Sequence, residues 1–358
     1  MYLDKLPKPR KMLILAEGKF DHMTSKTANA VLRYQPESAV AVVDSTRAGR
    51  TAHDVLGYGG DIPILATLEE GLRKSPNILL IGIAPAGGRL PDTWIPLILK
   101  AIENKLSIIS GLHTLLGEMQ VFADAAKRHG ITIVDLRKIP AEYEVVAKGI
   151  WKNRSTPTIL TVGTDCNIGK KTALLEIREV MNRRRIRSVF VPTGQTGVLL
   201  TDSGIALDAI KSDFISGSIE LAIERAIRPD TEYVLVEGQG ALTHQGYSGV
   251  TLGLIHGTMP DAMILCHMES RKRDLHYNEP FPDIREVIRL HEEIVGFFKK
   301  SKVIGISLNT VGMTEEDARR AVMRYEDTLD LPATDPCRFG AEKLTDAIES
   351  YWRRKTVA

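Results

Sequence analysis

Short apolar runs rich in β-branched residues alternate along this chain with segments whose apolar positions recur every three or four residues. In the first half the runs are MLILA (12–16), AVAVVD (39–44), NILLIGIA (77–84), LSIIS (106–110) and TIVDL (132–136). Helical periods separate several of them. The clearest are 91–105, opened by Pro91-Asp92, and 114–129, closed by Gly130. Strands alternating with helices predict βαβ units and a parallel sheet with both faces covered.

The rhythm breaks over 137–157, which carries Pro140, Pro157 and a charged segment, and predicts a domain boundary near residue 150. The second half starts afresh. Strands are predicted at 158–162, 188–192, 233–237, 262–268 and 302–309, with helices at 170–186, 213–227, 284–299, 314–326 and 339–352. That is a second three-layer α/β domain.

Composition narrows the classes of function. Lys plus Arg (47) nearly balances Asp plus Glu (45), so nothing points to a nucleic acid or an anionic membrane as partner. The basic run Arg183-Arg184-Arg185 closes a predicted helix, where cations suit the dipole. Cys166, Cys266 and Cys337 are widely spaced, without metal-ligand spacing, as suits a reducing compartment. The N-terminal apolar run, Met12 to Ala16, is too short for a signal peptide, and no stretch reaches the roughly 18 apolar residues of a membrane span. The expected location is the cytoplasm.

The strongest chemical signal is TVGTDCNIGKKT, residues 161–172. It joins a buried strand to a helix, and Gly163 and Gly169 bracket its turn. Such a turn points several backbone N–H groups into one concavity, and the helix dipole and a lysine add to its pull on phosphate. The usual pattern G-x-x-x-x-G-K-[ST] ends in a hydroxyl that holds Mg²⁺. Here Lys171 has that place and Thr172 comes one residue late. An ordinary glycine-rich turn is the bland alternative. The loop residues Gly163, Thr164, Asp165, Cys166, Asn167, Gly169, Lys170, Lys171 and Thr172 are the candidate cofactor-binding set.

Other candidates cluster in the same half. Glu237 ends the strand YVLVE, where P-loop proteins often keep a metal-binding acid; the alternative is a structural ion pair. GQGAL is no dinucleotide fingerprint, because no helix follows it and its sixth residue is Thr243. The stretch 243–257 is rich in glycine and small residues and reads as a loop that lets backbone approach a ligand. It offers His244 and His256 as bases. His267, inside AMILCHM, reads as a satisfied core residue. Arg271 and Arg273, after that strand, are placed to clamp a carboxylate, against the alternative of a solvated loop. Thr193, Gln195 and Thr196 end the strand 188–192 and are expected to line the pocket. Cys166, at a helix start, reads as a small neutral spacer before a covalent role. In the first half AEGKF (16–20), VVDST (42–46), Arg47 and Arg89 lie near strand ends, but without a glycine fingerprint no cofactor is assigned there. That half is expected to complete the cleft or to join copies into a homo-oligomer.

These motifs carry two resemblances. GTDCNIGK, VLVEGQG and VIGISLNTVG resemble the P-loop, acidic strand end and asparagine-bearing strand of dethiobiotin synthetase and its cobyric-acid-synthase and MinD-like relatives. That likeness implies Lys170 and Thr172 on ATP phosphates, Glu237 (with Thr172) at Mg²⁺, and Asn309 at adenine. The closer resemblance is to the DgcN-type D-glutamate N-acetyltransferase family, long catalogued as a domain of unknown function. GTDCNIGKKT, PTGQTG, VEGQG and HQGYSGVTLGLIHGTMPDAMILCH carry it, and it spans nearly the whole chain. That family has GK-x-T like this chain, but usually a proline where this chain has Gln245. The resemblance implies an N-terminal Rossmann-like domain (1–150) and a C-terminal P-loop NTPase-like α/β/α domain (151–358). It also implies transfer of acetyl from acetyl-CoA to the amine of D-glutamate or a similar amino acid, feeding an enolase-superfamily racemase. In this reading Glu237 or His244 is the base, and Lys170 or the loop N–H groups steady the oxyanion. The alternatives are an ATP- and Mg²⁺-dependent ligase and a nonenzymatic nucleotide-binding switch.

Overall fold

The computed structural model describes residues 3–83 and 87–357, with side chains given as far as residue 354. Ala84, the last residue of the predicted run 77–84, lies outside the described residues. The chain forms two compact units. The first runs to Ile139 and also takes in Gln195–Ala209; the second holds Pro140–Gly194 and the chain from Ile210 onward. The expected boundary near 150 falls in the lead-in to the second sheet, which makes two short 3-10 turns at Ala141–Tyr143 and Ile150–Asn153.

The first unit is built on strands β1 (Met12–Leu15), β2 (Ala39–Val43), β3 (Ile64–Leu65), β4 (Ile78–Ile81), β5 (Ser107–Ser110) and β6 (Ile133–Asp135). All pair in parallel, in the order β3-β2-β1-β4-β5-β6, the doubly wound order of Rossmann folds. β1 and β4 are buried throughout, as their unbroken apolar runs require. β3 is a two-residue edge strand, too short to show any periodicity in the sequence. At the end of β2, where dinucleotide folds hold a ribose, the Asp44 carboxylate accepts from the N–H of Phe20 at 2.9 Å and from Thr46. That carboxylate is spent on pinning its own chain.

The second unit continues with β7 (Thr158–Gly163), β8 (Ser188–Val191), β9 (Tyr233–Val236), β10 (Ala262–Met268), β11 (Lys302–Asn309) and β12 (Ala333–Thr334). This sheet is also parallel, in the order β12-β11-β10-β7-β9-β8. β7 is therefore central, with β9 on one side and β10 on the other. Beneath one face a core joins Ile159, Leu235, Ile264 and Ile304 of the strands to Leu174, Ile177 and Met181 of the helix Lys170–Arg183. Leu344 and Ile348 of the C-terminal helix complete it. The connection after β9 leads back past β7 to β10. The C-terminal end of β7 thus lies at the switch in strand order, where open α/β sheets bind ligands.

One expectation is corrected. Residues 243–257 are not all loop: Ser248–Thr258 forms an α-helix. Its glycines serve helix packing. A Cβ at Gly257 would lie 2.0 Å from Ile219 Cγ2 and 2.3 Å from the Ser216 carbonyl; one at Gly253 would lie 2.7 Å from Ile215 Cγ2. Those partners belong to the helix Ile215–Ala226, which approaches closely only because side chains are missing opposite it. Among the described residues no helix is long and apolar enough to cross a membrane.

Candidate phosphate site at the end of the central strand

The loop after β7 turns sharply. Asn167 has φ 56° and Gly169 has φ 108°, a value that disfavours any side chain at residue 169. Gly163 is needed for room, since a Cβ there would lie 2.6 Å from Ile168 Cδ1 and 3.2 Å from the Cys266 carbonyl. Gly169 caps the helix Lys170–Arg183 without any side-chain acceptor. Among the described residues the backbone N–H groups of Ile168, Gly169, Lys170 and Lys171 donate no hydrogen bond. A helix start with four unpaired donors is an anion site in waiting.

Two lysines reinforce it. Lys170 is buried and its Nζ donates to the Asp165 carbonyl at 2.7 Å. Burial pushes its ammonium below the usual lysine range, opposed by Cys166, Cys266, Asp165 and Glu237. Lys171 is half-buried, and its ammonium is lowered by burial and supported by Glu237. Glu237 is buried at the exit of β9. Burial raises its carboxyl, opposed first by Lys171, then by the N–H groups of Thr193 and Gly194, then by Lys170. Its Oε2 accepts from Thr193 N at 3.1 Å, while Thr193 Oγ1 donates to the Glu237 carbonyl at 2.7 Å. Thr193 therefore fixes Glu237. Gly238 lets β9 leave beside the loop: a Cβ there would lie 1.8 Å from the Thr161 carbonyl and 2.9 Å from Lys170 Cδ. A bound anion would neutralise two desolvated ammonium groups at once, a strong incentive for phosphate.

The near wall of the loop is braced from two segments. Asp165, fully buried, accepts from Cys166 N at 2.7 Å and from Arg271 Nη1 at 2.9 Å; the same Nη1 donates to the Cys166 carbonyl at 2.8 Å. Arg271 is thus engaged in holding the loop. Arg273, two residues on, is exposed and donates to the Asn278 carbonyl of its own turn. His244 is buried, with its ring stacked on Tyr247 at 4.7 Å. Gly246 N–H donates to His244 Nδ1 at 3.2 Å, which assigns the hydrogen of the neutral ring to Nε2. Nε2 faces His276 Nδ1 at 3.1 Å and Asp165 Oδ1 at 4.0 Å. Both nitrogens of His244 are engaged. The ligand atoms of Asp165, Cys166 and His244 lie within 4.8 Å of one another. A metal there would need the Nε2 lone pair, and that nitrogen carries the hydrogen, so the group reads as a hydrogen-bonded brace.

On the far side Asn309 Nδ2 donates to the Ile168 carbonyl at 3.4 Å, and its Oδ1 accepts from Val311 N at 3.1 Å. Thr172 sits half-buried in the first turn of the helix. His256 lies outside this network, on the helix Ser248–Thr258, edge-on to Phe298 at 5.3 Å. Gln195 and Thr196 start a helix that groups with the first unit. There Arg137 Nη2 donates to Gln195 Oε1 at 3.0 Å and to Asp208 Oδ2 at 2.6 Å.

One residue was missed in the sequence, and a second plays a part its expected role did not include. His276 belongs to an exposed turn without periodicity, and only its contact with His244 marks it. His267 is satisfied, as expected of a core residue, but by the loop itself: its Nδ1 meets Thr164 Oγ1 at 2.9 Å. Burial depresses the His267 pKa to about 4, and Glu269, whose Oε2 lies 3.9 Å from Nε2, opposes the shift.

Comparison with known proteins fits this architecture. The family described as a domain of unknown function, DUF1611, matches twice: its P-loop domain over residues 145–345 and its Rossmann-like domain over residues 45–139. A D-glutamate N-acetyltransferase of Tritonibacter scottomollicae is 36% identical over 338 residues, 92% of this chain and 95% of its own. One from a Pseudoalteromonas species is 34% identical over 281 residues, 77% of this chain and 82% of its own. The crystal structure of a DUF1611 family protein from Anabaena variabilis superposes with a TM-score of 0.91 at 36% identity, covering 95% of this chain and 99% of that one. With its two parallel-sheet domains and its phosphate-type loop, the chain belongs to the DUF1611 family, and it is kin to enzymes named D-glutamate N-acetyltransferase.

Proposed function

We propose that the protein is an N-acetyltransferase that moves acetyl from acetyl-CoA to the amine of D-glutamate or a similar amino acid, and that the loop after β7 holds the diphosphate of the donor. The observation that carries the donor site is the row of unpaired N–H groups from Ile168 to Lys171 above the buried Lys170. The relatives named D-glutamate N-acetyltransferase support the choice of acceptor and reaction.

This reading revises some expected roles. The pantetheine arm separates the diphosphate of CoA from its thioester. With phosphate on the loop, Lys170, Glu237 and His244 hold and shape the donor site and do not touch the reacting carbonyl. The engaged nitrogens of His244 agree, because neither is open to take a proton from an ammonium. The position of Glu237 at the end of β9 favours a second reading, an ATP- and Mg²⁺-dependent ligase. The test is to incubate the enzyme with a panel of D-amino acids, in one arm with acetyl-CoA while following free thiol and in the other with ATP and Mg²⁺ while following ADP. Thiol release with D-glutamate or a close analogue is expected. ADP formation that depends on Mg²⁺, with no thiol released across the panel, would instead favour the ligase.

A further inference from the structure

A P-loop implies Mg²⁺ between a hydroxyl in the first turn of the helix and an acid at a strand end. The residues here do not fit that ion. The position of the hydroxyl is Lys171, and Thr172 follows it round the helix by about 100°, which turns its side chain away from that position. The acid is present: Glu237 leaves β9, the neighbour of β7, with Val236 in register with Leu160. One of its oxygens is taken by the Thr193 N–H. Among the described residues the Lys171 ammonium donates no hydrogen bond and lies within 4.0 Å of no carboxylate, while the Glu237 charge acts on it from farther off. An ammonium at that first-turn position and a divalent cation held by Glu237 would repel each other in so desolvated a place.

We infer that the Lys171 ammonium, at the first-turn position of the usual hydroxyl, takes the place of the divalent cation, so that the loop binds a diphosphate without metal. The fixed charge moves with the chain and needs no metal hydration shell. It selects a diphosphate ester such as that of CoA over a magnesium-bound nucleoside triphosphate. The inference rests on the loop being a phosphate site, but it does not depend on acetyl-CoA being the donor.

The test is calorimetric titration of the full chain with CoA and with ADP, in excess EDTA and in excess Mg²⁺, referred to the metal-free ligand. Wild-type dissociation constants are expected to agree within about twofold between the two conditions. Lys171→Thr, which restores the usual hydroxyl after Lys170, is expected to lose about 10- to 100-fold in EDTA, the loss of one charge-assisted contact, and to regain part of it with Mg²⁺. Lys171→Arg keeps the charge and is expected to stay metal-independent. A wild-type affinity that needs Mg²⁺, or a Lys171→Thr protein that binds equally well in EDTA, overturns the inference. ADP binding without metal while CoA fails to bind would leave the inference standing and remove the acetyl-CoA reading. Binding of neither ligand would remove both.

Discussion

Truncating Arg271 to alanine strips the loop of its main brace. The side chains of Asp165 and Arg271 are 0% and 12% exposed, and one guanidinium nitrogen serves both the Asp165 carboxylate (2.9 Å) and the Cys166 carbonyl (2.8 Å). Removing one partner of a buried pair costs about 3–5 kcal/mol, because the other charge is left uncompensated. Arg271 keeps some contact with water, and Asp165 keeps the Cys166 N–H, so the low end, about 3 kcal/mol, is expected. Asp165→Asn in the Arg271→Ala background removes the orphaned charge and is expected to recover part of the loss. The two substitutions should then couple by about 1–2 kcal/mol, well above the roughly 0.5 kcal/mol scatter of independent sites. Urea unfolding of the full chain, followed by tryptophan fluorescence, measures all four corners of the cycle. A cost under about 1 kcal/mol for Arg271→Ala, or strict additivity, would refute the claim that this pair holds the loop.

Burial depresses both His267 and His291 from 6.5 to about 4. Between those pH values the unfolded chain takes up the two protons before the folded one. Stability is therefore fully present above pH 6.5 and falls as pH drops towards 4, by on the order of 3 kcal/mol per residue at the end of the window. Melting temperatures of wild type and His267→Gln across that range check the sign, and the variant should show the shallower slope. In the helix Ser248–Thr258, Gly257→Ala should destabilise by about 1–3 kcal/mol, because its Cβ would meet Ile219 and the Ser216 carbonyl. Gly249→Ala meets nothing within 4 Å and should be neutral or stabilise by up to about 1 kcal/mol; thermal melts distinguish the two. The Cys266 thiol is buried and pushed up to about 12, so iodoacetamide should leave it unmodified in the folded protein. Half-exposed Cys166 should be alkylated and then protected by CoA, as peptide mass spectrometry would show; protection of exposed Cys337 instead would place the ligand elsewhere.

The sequence conveys the central frame through simple physics. A parallel strand buried on both faces must be continuously apolar, and TILTV is; a turn with left-handed backbone needs glycine, and Gly169 supplies it. Two-residue edge strands such as β3 and β12 leave too short a pattern to detect. The glycines of 248–258 give an ambiguous signal, since a missing side chain admits a ligand or a neighbouring helix equally well, and here it admits the helix Ile215–Ala226. Arg271 and Arg273 are indistinguishable as letters. Only the folded turn sends one to Asp165 and the other to its own backbone. Gln195 follows β8 directly, yet its side chain meets Arg137 in the first unit, a link across 58 positions that local pattern does not encode.

The most direct check of the donor site is a crystal structure of the protein with CoA bound. Diphosphate oxygens within about 3 Å of the amide nitrogens of Gly169, Lys170 and Lys171 are the expected result. Clear density for CoA with its diphosphate bound elsewhere, and those amides facing only solvent, would contradict the account.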